Sequence, residues 1–85
     1  MEQDVRLKRL LYRSWHRGCK ETDIVLGNFA EENLVKMTAA QLDTYEKLLD
    51  EQDWDIWNWL TGKDTPKNEY IPFLDMLRAY NLTKQ

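Results

Sequence analysis

Cysteine is almost absent from this chain of 85 residues, with Cys19 the only one. No intramolecular disulfide can form, and a reducing compartment is the natural setting. Histidine is equally scarce: with His16 and Cys19 alone, the four-ligand spacing of a zinc site is missing, and no metal is expected. Three Gly and two Pro leave few turn signals, and no strand-like alternation bounded by turn residues occurs. No apolar run approaches the roughly 18–20 residues that span a bilayer, so membrane insertion is not expected. The opening MEQDVRLKRL has no apolar h-region and carries acids, unlike a secretory signal. An excess of positive charge is lacking too. Twelve basic against 15 acidic side chains give a net charge of -3, which counts against nucleic acid as the partner.

What the chain does have is apolar and aromatic. Hydrophobic residues make up 42% and aromatics 12%, with four Trp and four Tyr, which favours a folded globule over disorder. At this length one domain, residues 1–85, is all that can form. Its charge is uneven. Arg6, Lys8, Arg9, Arg13, His16, Arg17 and Lys20 gather towards the start, while the acids lie mainly from Glu21 to Asp64. A basic end of this kind can steer an acidic partner.

The periodicity is helical throughout. A first helix is expected over about Gln3 to His16, with Leu7, Leu10, Leu11 and Trp15 on one face. Gly18 follows as a left-handed stop. A second runs from near Lys20 to Leu34, with Glu21 and Asp23 at the positive end of its dipole. Its apolar residues Ile24, Val25, Leu26, Phe29 and Leu34 span an arc wide enough for a central helix. Gly27 within it costs roughly 1 kcal/mol of propensity against Ala, which close approach of another helix would justify. Thr38 and Gln41 form an S/T-x-x-E/Q capping box before a third helix with Leu42, Tyr45, Leu48 and Leu49 inward. A fourth, capped by Asp53 and stopped near Gly62, carries Trp54, Ile56, Trp57, Trp59 and Leu60 around most of its circumference. Of its indoles Trp59 is expected to be partly exposed and to serve as an interface anchor. After a loop around Pro66, a fifth helix from Glu69 to Tyr80 turns Tyr70, Phe73, Leu74, Leu77 and Tyr80 inward, with Pro72 tolerated in its first turn. The expected fold is all-α, a small five-helix bundle, monomeric when free.

The densest polar cluster is Trp15 to Glu21, at the junction of the first two helices. Cys19 as nucleophile with His16 as base would need an orienting group and an oxyanion hole, and neither is evident; no catalytic residue is assigned. Two readings of the cluster stand side by side. In one, Arg17 and Glu21 merely pair across the turn, an exposed contact contributing about 0–1 kcal/mol. In the other, the turn projects residue 19 between charges to meet a partner.

The segment YRSWHRGCKETDIVLGNFA, followed by a capped helix and DWDIWNWLTG, resembles the succinate dehydrogenase assembly factor 2 / SdhE family. One mark is Arg-Gly-x-x-Glu at the first helix junction, here Arg17, Gly18 and Glu21. Another is an acidic residue opening an aromatic-rich helix, here Asp53 to Trp59. The resemblance runs from about Leu7 to Tyr80. It implies a five-helix bundle that binds the flavoprotein subunit of succinate dehydrogenase, or of fumarate reductase, and promotes covalent attachment of FAD to a histidine there without being an enzyme itself. It implies that Arg17, Gly18 and Glu21 are the interaction site; Cys19, His16, Arg13 and Trp59 join them as candidate partner-binding residues. Cys19 stands where bacterial members often have a larger apolar residue such as Met, and is apolar enough to serve. Without a phosphate-cradling Gly-rich loop, no tightly bound FAD is expected on this chain. A helical interaction module of antitoxin-like or regulatory type, with another partner, is the alternative. The start of the chain, almost flush with the first helix, favours a bacterial cytoplasm, with the mitochondrial matrix as the alternative for a trimmed precursor.

Overall fold

A computed structural model of the chain describes residues 2–84, with side chains described from 4 to 80. The helices are α1 (Glu2–Trp15), α2 (Lys20–Asn33), α3 (Ala39–Leu49), α4 (Asp53–Leu60) and α5 (Ile71–Lys84). Single 3-10 turns over Leu34–Lys36 and Asn68–Tyr70 follow α2 and precede α5. Among the described residues there is no strand, and the fold is the expected all-α bundle. No helix among them is long and apolar enough to cross a membrane.

Each boundary has a local cause. Gly18 takes φ of +100° and Gly62 φ of +80°, left-handed conformations that end α1 and α4 at little steric cost. At α3 the capping box forms in both directions: Gln41 N–H donates to Thr38 Oγ1 at 3.1 Å and Thr38 N–H to Gln41 Oε1 at 2.9 Å. At α4 the expectation needs correction. Gln52 is the N-cap residue and Asp53 the first helical one, because the Asp53 carboxylate is engaged elsewhere.

The core is continuous. Leu10 of α1 meets Leu26, Phe29 and Ala30 of α2, Leu42, Tyr45, Leu48 and Leu49 of α3, Ile56 and Trp59 of α4, and Phe73, Leu74 and Leu77 of α5. Helix α2 packs against α1, α4 and α5 and is the central helix that its sequence indicated. Ile24 departs from that pattern and lies on the solvent side. Gly27 is buried beneath the Trp15 indole, where an added Cβ would come within 2.2 Å of the ring. That glycine is what lets α1 and α2 approach so closely.

One polar pair sits inside this core. Ser14 Oγ donates to the Leu10 carbonyl at 2.8 Å, so the Tyr45 hydroxyl, 2.6 Å away, donates to Ser14 Oγ. Both side chains are fully buried and fully satisfied. Burial pushes the Tyr45 phenol up to about 12.

Candidate functional site

The turn between α1 and α2 is built around two residues with unusual conformations. Gly18 is left-handed and Cys19 extended, with φ of -115° and ψ of 118°. The Cys19 carbonyl then accepts the Asp23 N–H at 2.8 Å and opens α2. With only glycine and cysteine at its apex, the turn presents little side-chain bulk.

Arg17 points inward. Its side chain is 9% exposed and reaches three groups at the junction of α3 and α4. Nε donates to Asp53 Oδ1 at 2.5 Å, Nη1 to the Leu49 carbonyl at 2.6 Å, and Nη2 to the Glu51 carbonyl. The last carbonyl of α3, on Leu49, lacks an intrahelical donor, and the guanidinium fork satisfies it together with the Glu51 carbonyl in the link to α4, near the negative end of the α3 dipole. The Arg17 N–H donates to Asp23 Oδ1 at 2.8 Å, and Thr22 Oγ1 lies 3.0 Å from Asp53 Oδ1. The Arg17–Glu21 pair, one of the two readings of the cluster, does not form. Asp53 takes the guanidinium because it is half-buried and lies in line with the two carbonyls, whereas Glu21 sits on the solvent side of α2.

Glu21 is exposed. Its carboxyl is held below the usual carboxylate range, first by its own backbone N–H at the start of α2 and then by the Cys19 thiol, 3.3 Å from Oε2. Beside it opens a cleft of about 230 Å³ lined by Cys19, Glu21, Trp54 and Trp57. Trp59, expected at the surface, is only 5% exposed; Trp54 is the projecting indole, at 69%. The helix period leaves α4 apolar on nearly every side, so packing chose the buried arc. Ile56 and Trp59 face inward, and Trp59 packs on Tyr70 with ring centroids 5.8 Å apart. Trp54 and Trp57 are left on the opposite side, next to the turn.

Across the turn, Tyr12, Arg13, His16, Arg17 and Leu49 line a second cleft of about 260 Å³. The exposed His16 ring stacks on Tyr12 at 4.2 Å, and Arg13 donates to Asp50 at 2.7 Å. The basic end is therefore smaller than its sequence implied. Arg6 is paired with Asp43 and Glu46, Arg13 with Asp50 and Arg17 with Asp53, and Lys8, Arg9, His16 and Lys20 are left facing solvent. His16 and Cys19 are engaged in different directions, one on Tyr12 and one on Glu21, and do not form a nucleophile–base pair. Among the described residues no group of three or more His, Cys, Asp or Glu is placed to hold a metal ion.

Two features of the candidate site escaped the sequence reading. Trp54 was passed over in favour of Trp59 because the pattern of an eight-residue helix fits either indole inside or outside. Asp53 was read as a cap; its pairing with Arg17, 36 residues away, left no local signal in the sequence.

Comparison with known proteins bears on the whole bundle. A family profile described as "Flavinator of succinate dehydrogenase" matches residues 8–81. The chain is 47% identical over 68 residues to the protein named succinate dehydrogenase assembly factor 2, mitochondrial, of Caenorhabditis briggsae, covering 78% of this chain and 56% of that one. It is 52% identical over 58 residues to the protein of that name in Lodderomyces elongisporus, covering 68% and 35%. With the Kluyveromyces lactis protein it shares 40% over 82 residues, covering 96% and 48%. The chain thus spans about half or less of these relatives' lengths. These findings correct the expected bacterial cytoplasm, since the relatives are eukaryotic proteins named as mitochondrial. That expectation rested on where the chain begins, and a chain spanning half of its relatives carries no such information. By its match over nearly all of its helices, this chain belongs to the succinate dehydrogenase assembly factor family, the flavinators of that enzyme.

Proposed function

We propose that this protein binds the flavoprotein subunit of succinate dehydrogenase in the mitochondrion and promotes covalent attachment of FAD to it, without catalysing the step itself. The observation that carries this reading is the division of labour in the Arg17–Glu21 motif, within a chain that matches the flavinator profile over residues 8–81. Arg17 is consumed in holding α1, α2, α3 and α4 together, so the turn it braces presents Gly18, Cys19 and Glu21 on a rigid base. The contact surface is that turn with the flanking Trp54 and His16, while the buried Trp59 and the paired Arg13 support it from behind.

The chain does not suit FAD as a ligand of its own. Its turn glycines, Gly18 and Gly62, are isolated rather than clustered into a phosphate-cradling loop. In this reading the flavin belongs to the partner, and the factor contributes orientation. Holding an isoalloxazine and its acceptor side chain at near-attack distance supplies a large effective concentration without added catalytic groups.

The test is in-gel flavin fluorescence of the denatured flavoprotein subunit, co-expressed with and without this chain. Fluorescence should depend on the chain and be lost with Glu21→Ala. Equal fluorescence in every lane, with the factor shown to be folded and expressed, would leave an interaction module for some other partner.

A further inference from the structure

We propose that the cleft between the start of α2 and α4 receives a cationic side chain, an arginine or lysine, presented by the flavoprotein subunit. The inference rests on the partner proposed above and adds the chemistry by which this face recognises it.

The lining is the first observation. Cys19, Glu21, Trp54 and Trp57 supply one carboxylate, two indoles and a thiol, and no cation. Indole faces attract an ammonium or guanidinium within about 6 Å of the ring, most strongly once water is excluded. The first turn of α2 carries Glu21 and Asp23 after Lys20, and that of α4 carries Asp55 beside Asp53, whose charge is met by Arg17.

The second observation is that the carboxylate and the rim indole of this cleft are not ion-paired or covered by other described residues. Asp53 and Asp23 are engaged by Arg17, but Glu21 has no ion-pair partner among the described residues. Two of the other indoles are occupied: Trp15 covers Gly27 and donates to Glu31 at 3.1 Å, and Trp59 is buried beside Tyr70. Trp54 instead stands 69% exposed at the rim of the cleft.

Together these decide the occupant. Any partner that covers Trp54 and Trp57 also takes the Glu21 carboxylate out of water. An apolar side chain would suit the rings but leave that charge desolvated and unpaired, an unfavourable outcome. An anion would be repelled. An arginine or lysine satisfies all of the lining, with its alkyl stem along the indoles and its charge at Glu21.

Calorimetric titration of purified flavoprotein subunit with wild-type factor, Trp54→Ala, Trp54→Phe, Glu21→Gln and Glu21→Lys tests this. Trp54→Ala should weaken binding roughly 30-fold, in the range of an interface hot spot, and Trp54→Phe distinctly less. Glu21→Gln should cost about tenfold at low salt, with a shallower salt dependence than wild type, and Glu21→Lys should abolish binding. Circular dichroism establishes that each exposed-site variant is folded. Trp54→Ala binding like wild type would overturn the proposal. So would weak binding by Trp54→Ala alongside unchanged binding by Glu21→Gln and Glu21→Lys, which would identify an apolar occupant. Failure of the wild-type factor to bind would overturn the proposed function itself, and this inference with it.

Discussion

Arg17 and Glu21 are four residues apart, the charged ends of one short motif, yet the structure sends them to opposite environments. Arg17 lies on the inner side of the α1–α2 turn among Asp53, Thr22 and the carbonyls of Leu49, at the end of α3, and Glu51. Glu21 lies on the outer side, next to Cys19 and two half-open indoles. The inner side is saturated: every buried polar side-chain atom described has a partner. The outer side is left incomplete. One motif can thus serve as both a brace and a contact surface, because a tight left-handed turn reverses the direction in which successive side chains point.

The comparison is broken most severely by Arg17→Ala. It would strand the Asp53 carboxylate and the Leu49 and Glu51 carbonyls in a largely desolvated site, costing about 3–5 kcal/mol. For a domain this small, urea denaturation should find the variant mostly unfolded. Arg17→Lys should recover little, since one ammonium cannot reach three acceptors in diverging directions.

The next effect is a pH dependence of the inner side. The Tyr45 phenol rises from an unfolded value of 10.0 to about 12 in the folded core. The native state therefore holds this proton more tightly. The stability so contributed is complete below pH 10.0 and is lost as the pH rises through about 12. About 2–3 kcal/mol is at stake, read as a steeper alkaline fall in urea midpoint than that of Tyr45→Phe. The phenylalanine variant itself should be about 1 kcal/mol less stable at neutral pH, having lost the bond to Ser14.

Gly27→Ala follows. The added methyl meets the Trp15 indole, and the forced repacking of α1 on α2 should cost about 1–3 kcal/mol by the same denaturation measurement. The smallest effect on stability belongs to the outer side. Glu21→Ala should stay within about 0.5 kcal/mol of wild type. Its loss should appear in flavoprotein binding and flavin attachment instead. A variant of Glu21 as unstable as Arg17→Ala would erase the distinction between the two sides.

Much of the bundle was legible before any coordinates. Helix period, the left-handed glycines and the Thr38–Gln41 box are signals carried within one or two turns of chain, and each helix fell within a few residues of its expected place. The Gly27 contact was also inferable in kind, since a glycine inside a helix needs a reason. The polar cluster from Trp15 to Glu21 stood out by its density of charge, and Arg17, Gly18 and Glu21 within it were marked out by the family resemblance. What they do individually was not.

The sequence by itself determined an all-α chain, the positions of its five helices, and the turn at Gly18, because helix propensity, capping and backbone handedness act locally. Only the tertiary structure decided that Arg17 pairs with Asp53, 36 residues away, rather than with Glu21. Only it decided that Trp59 is buried while Trp54 projects. On α4 every face is apolar enough to be core, so local pattern assigns no orientation. The choice follows from which arc the packing of α5 and Tyr70 covers, and from where the carbonyls of Leu49, at the end of α3, and Glu51 come to lie.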